Sequence, residues 1–167
     1  MFEKLTEISR DALQNYFDNK LSPRDLEKDM DDMKKGPYRF GEEQLMVLFP
    51  GDGSCPTSST FDITIMYKLL RNYQGEDWPG WGKKPGIEDI EEINDVERIR
   101  CYRNKVNHAV SETKVLEKDI FEKYWLDLTQ AIERLSNGKY RAVIEQLKSH
   151  ISASTEKILQ QKKCGDG

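Results

Sequence analysis

Residues 117–136 constrain the fold more than any other part of this sequence. Phe121, Tyr124, Trp125, Leu128, Ala131, Ile132 and Leu135 recur at steps of three and four, the spacing that gathers apolar side chains on one face of an α-helix. Three further segments repeat the rhythm. Residues 2–18 carry Phe2, Leu5, Ile8, Ala12, Leu13, Tyr16 and Phe17; residues 88–107 carry Ile90, Ile93, Val96, Ile99 and Val106. Tyr140, Val143, Ile144, Leu147 and Ile151 open a last helix expected to run to residue 162. Amphipathic helices of this kind bury their stripes only against one another, so the expected fold is an all-α antiparallel bundle.

The connections are marked by breakers and caps. Ser22-Pro23 reads as an N-cap followed by proline at the first helical position, and predicts a short acidic helix over 23–35 that Gly36-Pro37 ends. Its acidic residues read as a solvated face. Residues 42–49 predict one or two helical turns stopped by Pro50-Gly51, and 51–60 a surface loop. Residues 60–73 fit two periods. Phe61, Ile63, Ile65 and Tyr67 alternate as in a strand, whereas Ile63, Met66, Tyr67, Leu70 and Tyr73 fit a helix. Length and the Lys68-Leu69-Leu70-Arg71 ending favour a buried central helix. Residues 74–88 form a long Trp/Gly/Pro loop, whose Trp78 and Trp81 could hold a ligand but are expected to fold back as lids over the core. Tyr124 and Trp125, on the apolar stripe, read as core rather than as a base-stacking platform. No repeat of 20 to 50 residues is present.

Composition excludes several classes of function. The 167 residues carry a net charge of −4, so any affinity for RNA must come from a local basic patch and not from a general cationic coat. Cys55, Cys101 and Cys164 are odd in number and far apart, which argues against a disulfide framework and for a reducing, cytoplasmic setting. With two histidines, His108 and His150, no metal site and no cofactor is expected, and His150 reads as a solvated helix residue. There is no signal-peptide run and no stretch of 18 apolar residues to span a membrane. Gly-rich phosphate loops, Cys-x-x-Cys pairs and Ser-His-Asp arrangements are absent from the sequence. A single domain over 1–163 is expected, with 164–167 as a tail. The ending Lys162-Lys163-Cys164-Gly165-Asp166-Gly167 reads as the boundary of a module in a larger protein.

One string carries chemical promise: Arg103-Asn104-Lys105-Val106-Asn107-His108. Guanidinium binds phosphate as a fork, and imidazole exchanges a proton near neutral pH. A structural alternative exists, because Glu88, Asp89, Glu91 and Glu92 at one end of this helix and Arg98, Arg100, Arg103 and Lys105 near the other suit its dipole. On an ideal helix, residues five apart point about 140° away from each other, while Asn104 and His108 share a face. Arg103 and His108 therefore meet one phosphate only if the helix ends or distorts near Asn107, or if a second copy of the chain supplies the partner residue. Arg71, followed by Asn72 as Arg103 is by Asn104, could add a phosphate contact or could cap its own helix.

The Arg-x4-His string near the end of a core helix resembles the motif of the HEPN superfamily. Further strings resemble the HEPN-like branch found in the DAZ-interacting zinc-finger ubiquitin ligase and in related immune-type multidomain proteins. They are Gln44-Leu45-Met46-Val47-Leu48-Phe49-Pro50, Phe61 through Asn72, Gly80-Trp81-Gly82, Asp95 through Asn104, Tyr124-Trp125, and Ala131-Ile132-Glu133-Arg134-Leu135. The resemblance covers residues 20–137, with one departure: Asn107 stands where that branch has glycine before the histidine. The resemblance implies a HEPN-type bundle with extra terminal helices that forms a homodimer and acts as a metal-independent endoribonuclease at the cleft between the two copies. In that role His108 is the acid/base, Arg103 binds the scissile phosphate and Asn104 positions either partner. Arg71, Arg100 and Lys105 are the expected RNA-binding residues. The products would be a 2′,3′-cyclic phosphate and a 5′-hydroxyl. The alternative is a non-catalytic RNA-binding or protein-interaction module in ubiquitin or immune signalling. Neither reading implies DNA specificity or a membrane.

Overall fold

The computed structural model describes residues 2–22, 26, 40–54, 56–75, 77–111 and 118–150, with the backbone alone at 2, 3, 106–111, 118, 119 and 121. Helix α1 spans Phe2–Lys20 and α2 Glu42–Leu48. A 3-10 turn at Ser58–Thr60 leads into α3, Ile63–Gln74. Then come α4, Glu92–Ser111, α5, Lys118–Ser136, and helical residues 141–150, α6. Among the described residues there is no strand, and the fold class is all-α. The Trp/Gly/Pro loop lies between α3 and α4.

Helix α5 lies against both α1 and α4, and α1 also reaches α3 and α4. The stripes read from the sequence meet at this junction. Leu5, Leu13 and Phe17 of α1, Met66 and Leu69 of α3, Ile99 of α4 and Ile132 of α5 are all nearly inaccessible to solvent. Phe17 and Phe61 pack edge to face with centroids 5.8 Å apart, a favoured aromatic geometry.

Local chemistry sets the start of α3. Asp62 caps it, its carboxylate accepting from Ile65 N at 2.7 Å. Arg10 of α1 donates to the carbonyls of Ser58, Ser59 and Phe61 at 3.2, 2.9 and 2.8 Å, so one guanidinium ties the end of the 3-10 turn to the bundle. The far end of α5 stops at Asn137 and Gly138, both with positive φ, and Gly138 N donates back to Glu133 O at 2.9 Å.

Several expectations change. The 60–73 segment is helical from Ile63 onward, as its length suggested, and starts three residues later than expected. Its Tyr73, placed on the apolar face by periodicity, is 54% exposed. Helix α4 starts at Glu92 rather than 88. Gly86 N donates instead to Asp89 Oδ2 at 2.8 Å, closing a separate turn, and Ile90 before the helix is 60% exposed. Helix α4 also continues to Ser111 instead of ending at 107. Val143 is on the rim of α6 and not inside it. The acidic segment 23–35 lies outside the described residues except for Leu26, which is buried, and so do Ile151, the expected end of the last helix, Cys55 and Cys164.

Candidate functional site

Uninterrupted helical backbone through residues 103–108 decides the geometry of the Arg-x4-His string. No distortion near Asn107 brings the two ends of the string together, so within one chain positions 103 and 108 lie about 140° apart around α4. Asn104, exposed, shares a face with His108. The His108 side chain lies outside the described residues.

Arg103 itself turns into the bundle. Its Nη2 donates to Thr64 Oγ1 on the first turn of α3. Its Nε is buried without a hydrogen-bond partner among the described residues. With Thr6, Ser9, Ile63, Ile99, Tyr102 and Leu128 it lines an internal cavity of about 10 Å³, which is the scale of one water molecule and far below that of a nucleotide.

The other expected RNA contacts divide in two. Arg100 donates from Nε to Glu97 Oε2 at 2.9 Å, and its guanidinium stands 5.1 Å from the Tyr67 ring centroid. Arg71 lies 5.3 Å from the Trp81 ring centroid. Both guanidiniums are thus engaged with internal partners. Lys105 differs: it is exposed, and its Nζ stands 5.1 Å from the Tyr124 centroid and 5.9 Å from that of Tyr102.

Two buried carboxylates organise this region. Asp95 accepts from Arg134 Nε at 2.8 Å, Arg134 Nη2 at 2.7 Å and Arg98 Nη1 at 2.9 Å. Arg98 uses its other terminal nitrogen on Gly86 O at 2.6 Å. Glu97 accepts from Tyr67 Oη at 2.5 Å, Gly82 N at 2.8 Å and Arg100 Nε at 2.9 Å. Both carboxylates are inaccessible to solvent and each is met by cations or donors, the condition for burying charge. Sequence reasoning treated the charges on this helix as dipole complements and missed both. The available signal was the alternation of acid and base in Asp95-Val96-Glu97-Arg98-Ile99-Arg100, where two carboxylates flank an apolar stripe residue.

The tryptophan loop closes over this network as a lid. Trp81 is buried, donates from Nε1 to Gly75 O at 2.8 Å, and packs edge to face on Tyr67 and Trp78. Tyr124 and Trp125 are half-buried against the core. Burial, then the hydrogen bond to Glu97, pushes the Tyr67 phenol well above the usual tyrosine range. Burial and a short hydrogen bond to Asp127 do the same for Tyr102. His150 is exposed.

Among the described residues no group of acids, histidines and cysteines could hold a metal ion, and no helix is long and apolar enough to cross a membrane. Residues 19–161 match the family described as DZIP3/hRUL138-like HEPN. No curated protein matches the chain, and no solved structure does. The match takes in α2 through α6 and every string on which the resemblance rested, and the chain belongs to the DZIP3/hRUL138-like HEPN family.

Proposed function

We propose that this domain is a non-catalytic RNA-binding HEPN module of a larger cytoplasmic protein, of the ubiquitin-ligase or innate-immune type. The observation that carries the reading is the direction of Arg103: its guanidinium is spent on Thr64 inside the bundle, about 140° around an unbroken helix from His108. Positions so far apart around one helix do not favour a single phosphate shared by the two residues within one chain. Family membership alone does not fix the chemistry.

A second reading has one specific observation in its favour. Asn104 and His108 share a face of α4, an arrangement in which an amide orients an imidazole. A homodimer that set this face against a partner's cationic group would form a metal-independent endoribonuclease. His108 would act at the 2′-hydroxyl or the leaving 5′-oxygen, a role worth typically 10²–10⁴-fold. Arg103 would stabilise the phosphate only after leaving Thr64.

A fluorogenic single-stranded RNA assay in EDTA separates the two. Binding without cleavage by the wild-type domain supports the first reading. Cleavage that vanishes in both Arg103→Ala and His108→Ala overturns it and establishes the second. Light scattering at tens of micromolar, the range of weak association, tests the dimer on its own, and the second reading requires a dimer.

A further inference from the structure

Lys84 and Lys105, from two separate elements, stand over the Tyr102–Tyr124 pair, whose centroids are 5.0 Å apart, and Lys123, next to Tyr124 in sequence, lies near enough to Lys84 to act on its charge. Lys84 comes from the tryptophan loop, and its Nζ stands 5.8 Å from the Tyr102 centroid. Lys105 comes from α4 and stands over both rings. Lys123 comes from the second turn of α5. All three are exposed, and among the described residues none makes an ion pair with a carboxylate. Asp127 is the nearby acid, and its Oδ2 already accepts from Tyr102. The patch is therefore a local concentration of positive charge on a chain whose net charge is −4.

This is an arrangement that folding alone does not require. A single cation per ring satisfies a cation–π contact, whereas here two ammonium groups share Tyr102. Lys84 also feels the crowding. Burial first, then Lys105 and Lys123, pull its pKa below the ordinary lysine value, against the opposing pull of Asp127 and Cys101. Three lysines facing one nearby carboxylate, Asp127, leave a net positive charge that a bound polyanion relieves.

We propose that Lys84, Lys105 and Lys123 form a phosphate-binding track that holds consecutive phosphates of a single RNA strand. The track rests on the RNA-binding reading above and relocates its contacts. The strand is held by lysines of the loop, α4 and α5, and not by Arg71 and Arg100, which serve the fold. Three ammonium groups read phosphate as point charges without base identity, so binding is insensitive to sequence and falls steeply with salt.

Fluorescence anisotropy with a labelled twelve-nucleotide oligouridylate tests the track, with tripolyphosphate as a second probe followed by NMR at the lysine side chains. The variants are Lys84→Gln, Lys105→Gln, Lys123→Gln and the triple, with Lys139→Gln as a distant control and thermal melts to verify folding. Each single change is expected to lower the logarithmic salt slope by about 0.7, and the triple to weaken oligouridylate binding by about tenfold or more at low salt. Lys139→Gln is expected to leave both unchanged. Tripolyphosphate bound at the lysines by a domain that ignores oligouridylate would sustain the phosphate site while rejecting RNA as its source, and with it the RNA-binding reading. Oligouridylate binding that survives the triple variant with an unchanged slope would overturn the track and leave that reading standing. Failure to bind either probe would overturn both.

Discussion

Arg134 grips Asp95 with two nitrogens on two oxygens, Nε to Oδ2 at 2.8 Å and Nη2 to Oδ1 at 2.7 Å, across the α5–α4 contact. A fork of this kind fixes rotation as well as distance, so it sets the register of α5 against α4. Arg98 completes the cluster from the same helix as Asp95. Removing the acid strands two guanidiniums beside a low-dielectric core. Asp95→Ala is expected to cost about 3–5 kcal/mol, measured by urea unfolding, whereas Arg98→Ala costs less because Arg134 still satisfies the carboxylate. Equal, small losses in both variants would mean that the pair contributes little.

Glu97 joins α4 to α3 through Tyr67 and to the loop through Gly82. Glu97→Ala is expected to unlatch the loop and destabilise the domain by about 3 kcal/mol or more, since it leaves buried donors without an acceptor. Trp81 then gains water, and tryptophan emission is expected to shift to the red below the unfolding transition. An unchanged spectrum in folded Glu97→Ala protein would show that the loop is held by its aromatic contacts alone.

Arg103 and Thr64 provide a direct test of whether the motif arginine serves the fold. Thr64→Val is expected to cost about 1 kcal/mol, and a double-mutant cycle with Arg103→Met to give a coupling of about 0.5–1.5 kcal/mol. RNA affinity in Thr64→Val is expected to stay within about twofold of wild type, because 1.4 kcal/mol would be needed for tenfold. A large loss of RNA affinity in Arg103→Met at unchanged stability would place the guanidinium on the ligand.

Alkaline pH is expected to weaken the fold. Burial, with Glu92 and Tyr73 adding to it, pushes Tyr16 up to about 12, and Tyr67 and Tyr102 are raised further. Each phenol binds its proton more tightly folded than unfolded. Their contribution is complete below the unfolded tyrosine pKa near 10 and is lost as pH rises through the folded values. Urea midpoints are expected to fall from about pH 10 upward, with phenolate absorbance from these three appearing only on unfolding. Full tyrosine ionisation in the native state at pH 11 would contradict the assignment.

Periodicity made most of the bundle legible. The stripes of α1, α3 and α5 meet in the core, and the tryptophans act as lids. What periodicity could not give was the use of charge. A heptad-like reading assigns acids and bases to water by default, yet Asp95 and Glu97 sit on the buried side of α4 because α3, α5 and the loop bring donors to them from distant parts of the chain. Arg71 and Arg100 looked like nucleic-acid contacts for the same reason: their partners, Trp81 and Tyr67, are recognisable only after folding. Ile90 followed the helical period but precedes the helix, since the Gly86–Asp89 turn takes up the preceding residues. The Lys84–Lys105–Lys123 patch was half visible, through Lys105 alone, because its members are 18 or more residues apart.

Between Gly82 and Gly86 the loop is held to α4 by its main chain: Gly82 through its amide and Gly86 through its carbonyl. Contacts of that sort are indifferent to which side chains hang from the intervening positions. Lys83, exposed between these two anchors, is accordingly a place where a fluorophore or crosslinker could be grafted, giving a reporter one residue from Lys84 without disturbing the clamp that holds the backbone.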